Sequence, residues 1–482
     1  MKCNHFDFPL KDFFVDVFKE QVFLVGGTIR DSLLYGGADE LRDIDLVVTG
    51  HTYKEIEKKL KPFGKTNTVG KSFAVVKFTK DGKTFDISVP RKDVKRDENS
   101  HSHKNFIVEY GPHIPLEEDL KRRDFTCNSI ALRLIDNEMI DPFNGIKAVQ
   151  DKNIIMTGPE TFFDDPLRIL RCARFASVHR FTVDKDIYLD SKKIRLDGLS
   201  SERVVEELFR LLLESEQPSL GLNEFFKLSV IEKLFPELSA LTLTIQDAVF
   251  HPETDEYGHH TVWIHTLLTV DVAKKLSRKF SLSDEETLAL LLAALLHDLG
   301  KATTTKWEFK RGRMTITSIY HDTRGVVIAE RFLANLKIET RKNFPIKDVA
   351  LKLIRNHHRV YDLYRNRNNV GFKAISRLVR DLDGREFLLI LLDFADRHSR
   401  EPQPLDFSDL DEISQWLLAR KQELNVNRES IRPLVMGRDL LKIGVYPGEK
   451  MGIYLNKLYE LQLDGVFGTT EEGLKYFTKL QK

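Results

Sequence analysis

Cysteine is scarce and scattered: Cys3, Cys127 and Cys172 lie far apart in 482 residues and form no CxxC pair. That excludes a disulfide framework and fits a reducing cytoplasm. Neither sign of charge is in excess, since 74 Lys and Arg against 73 Asp and Glu leave a formal charge of +1. Such a balance neither announces nor excludes a nucleic-acid partner, which would need local basic surfaces. The N-terminus, MKCNHFDFPLKDFF, lacks a continuous apolar core, so the sequence predicts no signal peptide. The longest aliphatic run, Leu288–Leu296, falls far short of the roughly 20 residues that span a bilayer. It reads instead as a buried helix, with Ser283 and Glu286 as its capping box, and no membrane partner is expected. Solenoid repeats and low-complexity tracts are absent as well.

What is present is the composition of a globular protein, 41% hydrophobic and 30% charged, at a length that predicts roughly two to four domains. Short β-like runs at Val22–Val25, Ile44–Val48, Phe73–Phe78 and Thr84–Val89, with a helical stretch at Arg30–Leu34, predict an α/β domain over 1–150. Beyond about residue 160, helical periodicity dominates, as in Pro166–Ala176, Glu202–Leu213, Thr261–Leu276 and Val326–Leu336. The polar segment Asp93–Pro115 reads as a loop inside the first domain.

Three constellations carry chemistry. In the first, VFLVGGTIRDSLL runs from an apolar strand through Gly26–Gly27 into a helix. Adjacent glycines let backbone N–H groups approach a phosphate, the helix N-terminus favours negative charge, and Arg30 is placed to hold a phosphate oxygen. A tight strand-to-helix turn explains the glycines equally well. Next, RDIDLVV puts Asp43 and Asp45 on one face of a strand. Two like charges side by side call for a cation, and two Mg²⁺ ions between an attacking hydroxyl and a triphosphate would supply it. Asp86 in KTFDISVPRK is a candidate third carboxylate, although an exposed strand aspartate gives the same pattern.

The second constellation comprises DLKRRDFTCNSIAL (Asp119–Leu132), IDPFNG (Ile140–Gly145) and FFDDPLRILRCARFA (Phe162–Ala176). Asp165 and Arg168, three apart at a helix start, can face one site. Cytosine and adenine both present an amine donor beside a ring-nitrogen acceptor, whereas guanine and uracil reverse that order. A carboxylate with a guanidinium would therefore admit C and A and reject G and U. Taken alone, Asp165-Pro166 is also a good helix cap with an N1 proline.

Taken together and in this order, these motifs resemble the class II tRNA nucleotidyltransferases and bacterial poly(A) polymerases, a branch of the polymerase-β-like superfamily. The resemblance implies an elongated, multi-domain chain: a nucleotidyltransferase head (1–150), a helical neck and body (151–240), an HD metal domain (241–400) and a helical tRNA-binding tail (401–482). It implies template-independent addition of CCA to the 3′ end of tRNA from CTP and ATP, in the cytoplasm and with no obligate protein partner. Relatives that add only A, or that make poly(A), use the same chemistry. Asp43, Asp45 and Asp86 would be catalytic, the first two as Mg²⁺ ligands. Gly26, Gly27, Arg30, Arg123, Asp124, Asp165, Arg168 and Arg171 would bind the nucleotide, and Arg174 would be structural. The chain departs from the family pattern at Asp164, where Glu is usual, and at Ala148–Val149, where Asp-Leu is common.

The third constellation is HHTVWIHTLL, ALLHDLGKA, SIYHDTRG, IRNHHRVYD and DFADRHS. Imidazole and carboxylate ligands suit a divalent transition metal. His265, the His297–Asp298 pair and Asp396 resemble the ligand set of HD phosphohydrolases, and His321 with His357 or His358 would complete a second site. This predicts a bound divalent metal of unassigned identity and leaves hydrolysis open. A different class remains open too: an HD phosphohydrolase whose head only binds RNA.

Overall fold

The computed structural model describes residues 8–36, 44–69, 75–95, 106–310, 312–400, 409–427 and 432–480. The chain divides into two compact units, Met1–Phe235 and Pro236–Lys482.

The first unit is built on a mixed sheet. Its strands are β1 (Val22–Val25), β2 (Asp45–Val48), β3 (Lys65–Val69), β4 (Val75–Lys80) and β5 (Lys83–Ser88); a separate hairpin, β6 (Arg91–Lys95) and β7 (Phe106–Tyr110), precedes β8 (Ala131–Arg133) and β9 (Glu138–Ile140). The seven-stranded sheet has the order β3-β4-β5-β2-β1-β8-β9. Strand β1 is apolar on both faces and fully buried, as a central strand covered on both sides should be. The expected strands appear within a residue or two, except that Phe73 lies outside the described residues. The expected loop at Asp93–Pro115 differs: its two ends pair as the antiparallel hairpin β6–β7, from Arg91 opposite Tyr110 to Lys95 opposite Phe106. Their pairing spans a long sequence gap, and only tertiary contact reveals it.

Beyond the sheet, helix Leu167–His179 packs against helix Ser201–Glu214. A buried ion pair ties the two, with Arg174 Nε donating to Glu207 Oε2 at 2.8 Å and Nη1 to Glu214 Oε2 at 3.1 Å. Arg174 thus has the structural part expected of it. The IDPFNG turn also has a physical account. Asp141 accepts the backbone N–H groups of Gly145 and Ile146, capping helix Gly145–Gln150. A Cβ on Gly145 would lie 2.1 Å from the Thr126 carbonyl oxygen, so only glycine lets that helix start so close to the KRRDFT segment.

Among its described residues, the second unit is helical apart from one hairpin, Lys306–Lys310 with Arg313–Thr317. Helix Asp284–Leu296 is buried from Thr287 to Leu296, and the Ser283–Glu286 capping box forms as the sequence predicts. Burial on every side explains why this helix shows an unbroken aliphatic run instead of a stripe. Among the described residues, no helix is long and apolar enough to cross a membrane. A small separate core, Val435, Leu440, Met451, Leu458, Phe467 and Phe477, organises the C-terminal helices.

Candidate active site and metal centre

In the first unit, β1, β2, β5 and the two packed helices enclose a cleft of about 930 Å³. Nine arginines line it against six Asp and Glu residues, so the cleft favours a polyanion. Strand β2 runs parallel to β5 with Asp45 directly opposite Asp86, which puts both carboxylates on one face of the sheet. Asp86 is held from the other side by Lys77, whose Nζ lies 3.0 Å from Oδ1 and 3.1 Å from Oδ2. Asp43 lies outside the described residues. Gly26 has φ 82°, and a Cβ there would stand 3.0 Å from Arg123 Nη1 and 3.8 Å from Asp45 Oδ2. The turn, the carboxylate and the guanidinium therefore meet where a side chain would intrude, a cradle suited to a phosphate and its metal.

Arg30 is nearly buried. It donates to Asn128 Oδ1 at 2.6 Å and to Asp31, and lies 4.8 Å above the Phe175 ring. Arg171 and Arg174 approach the same ring at 5.7 and 4.6 Å, so one aromatic face organises three guanidinium groups. Asp124 accepts from the Phe125 N–H, the Asn128 amide and Arg171 Nε, each at 2.8 to 2.9 Å. Burial alone would raise its carboxyl, but Arg171, Asn128 and Arg168 outweigh burial and hold it down at about 2. Asp119 is the organiser that motif reading passed over. Though buried, it accepts from Arg122, Arg123 and the Arg91 N–H.

Asp165 and Arg168, the pair expected to read the base, line the cleft but are engaged separately. Asp165 accepts from Arg203 Nη2 at 3.1 and 2.8 Å and from the Leu167 N–H at 3.3 Å. Arg168 donates to the carbonyls of Arg123 at 3.2 Å and Arg122 at 2.6 Å. Arg203 was legible only as a member of the helical stretch Glu202–Leu213; nothing in its spacing named Asp165 as its partner.

In the second unit the histidine clusters converge. One nitrogen or oxygen each from His265, His297 and Asp396 lie within 4.8 Å of one another, and so do nitrogens of His321, His357 and His358. His297 Nδ1 and His357 Nδ1 face the carbonyls of Ala294 and Ile354 at 2.8 and 2.6 Å. That leaves each Nε2 buried and without a hydrogen-bond partner among the described residues. His297 Nε2 faces Asp298 Oδ2 at 3.2 Å. An imidazole held by its Nδ1–H with Nε2 aimed at carboxylates is the arrangement of a metal ligand. Asp298 Oδ2 pairs with Lys301 Nζ at 2.8 Å, and Asp396 accepts from Arg400 Nη2 at 2.8 Å. Glu253, at 5% side-chain exposure, faces both His251 and His265. Burial would raise its carboxyl, yet the two imidazoles bring it to about 2.

Three family models match successive stretches of the chain. They are the poly A polymerase head domain over residues 22–155, the probable RNA and SrmB-binding site of polymerase A over 181–241, and the HD domain over 262–401. Among similar proteins is the Multifunctional CCA protein of Stenotrophomonas maltophilia (strain K279a), 33% identical over 353 residues, which are 71% of this chain and 78% of that protein. The Multifunctional CCA protein of Dechloromonas aromatica (strain RCB) is 32% identical over 396 residues, 80% of this chain and 86% of that one. Solved structures share the fold. A CCA-adding enzyme in apo form II matches with TM-score 0.61 at 19% identity, over 98% of this chain and 96% of the other. The Thermotoga maritima CCA-adding enzyme complexed with tRNA matches at 0.56 and 19%, over 99% and 97%. The Bacillus stearothermophilus CCA-adding enzyme in complex with CTP matches at 0.60 and 19%, over 98% of each.

Proposed function

This chain belongs to the family of the multifunctional CCA proteins, a tRNA nucleotidyltransferase family, and from that premise we propose a reaction and assign residues to it. The enzyme adds CCA to the 3′ end of tRNA from CTP and ATP. Asp45, with Asp43 beside it in sequence, would hold Mg²⁺, which when bound neutralises the triphosphate and polarises the reacting phosphoryl oxygen. The Gly26–Gly27 turn, Arg123 and Arg30 bind and orient the triphosphate. Asp86 stands opposite Asp45 to take the proton from the attacking 3′-hydroxyl. Asp124 fixes Arg171 against the nucleotide, and Asp165 with Arg168 reads the base edge.

The observation that carries this reading is the register of β2 and β5. It sets two carboxylates side by side in an arginine-lined cleft, beside a glycine turn whose positive φ disfavours a side chain. Within the same reading, 1–150 is the catalytic head, 151–240 the neck and body, 241–400 the HD domain and 401–482 the tRNA-binding tail, in a cytoplasmic protein. The test offers each labelled nucleoside triphosphate to tRNAs ending in the discriminator base, in C and in CC. Two C and one A, then a stop, is the expected result. Addition of A to the CC end alone would replace this reading with an A-adding enzyme.

A second activity is favoured by the buried imidazole nitrogens of the HD centre. His265, His297, Asp298 and Asp396 would hold one divalent ion, and His321, His357 and His358 a second. Such ions lower the pKa of bound water and so supply a nucleophile for phosphoester hydrolysis. His297→Ala is expected to remove metal-stimulated phosphohydrolase activity while CMP and AMP incorporation stays within about twofold. His297 belongs to the second compact unit, whereas the nucleotide cleft lies in the first. Hydrolysis surviving in that variant would place its source elsewhere.

A further inference from the structure

Outside the ligand set, a closed ring of buried polar groups joins His265 to Asp298. His265 Nδ1 lies 3.1 Å from Glu253 Oε1 and 3.1 Å from Ser399 Oγ. Ser399 spends its own proton on the Asp396 carbonyl at 2.8 Å. Both groups facing His265 Nδ1 are therefore acceptors, so that nitrogen carries the hydrogen and Nε2 presents its lone pair. Nε2 is the atom 3.0 Å from Asp396 Oδ1 and 3.7 Å from Asp298 Oδ2. Glu253 is fixed in turn by His251 Nδ1 at 2.9 Å, whose Nε2 lies 3.4 Å from Lys301 Nζ. Lys301 also donates to Gln246 Oε1 at 2.8 Å and lies 2.8 Å from Asp298 Oδ2 as an ion pair, which closes the ring.

We propose that Glu253, held by His251, is a positioning residue of the HD metal centre: it locks His265 in the Nδ1–H form and orientation that present Nε2 to a divalent cation. This rests on the metal reading given above. Glu253 is one atom layer behind the ligand, where a carboxylate both fixes the imidazole tautomer and raises its basicity, and loss of such a partner typically weakens metal binding by about 10–100-fold. Its position outside the HD ligand motif, in HPETDEYGHH, kept it from being read in sequence.

The experiment is a Mn²⁺ titration followed by EPR, on the full chain carrying Asp45→Ala so that the head does not contribute. Glu253→Ala is expected to raise the Mn²⁺ Kd by about 10–100-fold, and Glu253→Gln, which keeps a carbonyl acceptor toward His265, to recover most of that loss. With Asp45 restored, CMP incorporation should match the parent, which a glutamate needed for the fold as a whole would not allow. A Glu253→Ala Kd equal to the parent's, or a loss that Gln does not lessen, overturns the positioning role alone. A parent whose Mn²⁺ binding is indifferent to His297→Ala overturns the metal reading, and the positioning role with it.

Discussion

Asp45→Ala is expected to slow nucleotide transfer by roughly 10³-fold or more while leaving the fold intact. Asp45 is the exposed first residue of β2, and Leu46, Val47 and Val48 behind it supply the buried contacts. Removing its carboxylate costs the core nothing. It does remove one of two carboxylates set opposite each other on parallel strands, with Gly26 and Arg123 beside them. Metal stabilisation of a transferring phosphoryl group is worth several kcal/mol, and each 1.36 kcal/mol is about tenfold in rate. Single-turnover incorporation of CMP, with circular dichroism as the control for folding, makes the measurement. Transfer within about tenfold of the parent would remove Asp45 from the metal site. Asp86→Asn is the informative companion. It keeps the shape of the side chain and a partner for Lys77 while abolishing the base.

The second large effect concerns selectivity. Asp165→Asn is expected to lower the preference for CTP over UTP by roughly 10²-fold or more, since sites built on buried hydrogen bonds reject the wrong partner by 10⁴ or more. An aspartate only accepts, so it suits the exocyclic amine of cytosine; an asparagine can turn its amide and donate to the uracil carbonyl. Arg203 does not spoil this role. It occupies one side of a carboxylate that has about four lone-pair directions, and so holds Asp165 in place with acceptor capacity left over. The helix-cap explanation predicts something else. Asn caps helices as well as Asp, so a residue that only caps would show unchanged selectivity and unchanged stability. Measuring kcat/KM for CTP and UTP on the same tRNA separates the two outcomes.

Much of the HD centre was legible because each histidine cluster is local. His297 and Asp298 are adjacent, His357 and His358 likewise, and the hydrophobic periodicity around them places each cluster at a helix end or on a helix. The residues behind the ligands were not legible in the same way. Glu253, His251 and Lys301 take their meaning from one hydrogen atom on His265, and no spacing rule reports which nitrogen carries it. The hairpin β6–β7 reads as loop because β6, RKDVK, is short and charged and β7, FIVEY, is only five residues long. Only its partner across the intervening polar segment makes it a strand.

By itself, the sequence determined which chemical groups exist and which neighbours they have within a turn or a strand. It specified the glycine turn before a helix, Asp165 three residues before Arg168, the capping box at Ser283, and the imidazole and carboxylate clusters. Those are consequences of backbone periods of 2.0 and 3.6 residues, which act over a few positions. Tertiary structure alone decided that Asp45 stands opposite Asp86, that Asp165 belongs to Arg203 and Arg168 to the carbonyls of Arg122 and Arg123, and that Glu253 faces His265. Register across parallel strands and the choice of partner for a buried charge depend on how whole elements pack. A buried charge takes whichever complementary group packing brings to it, because leaving it unpaired costs more than any local preference can supply.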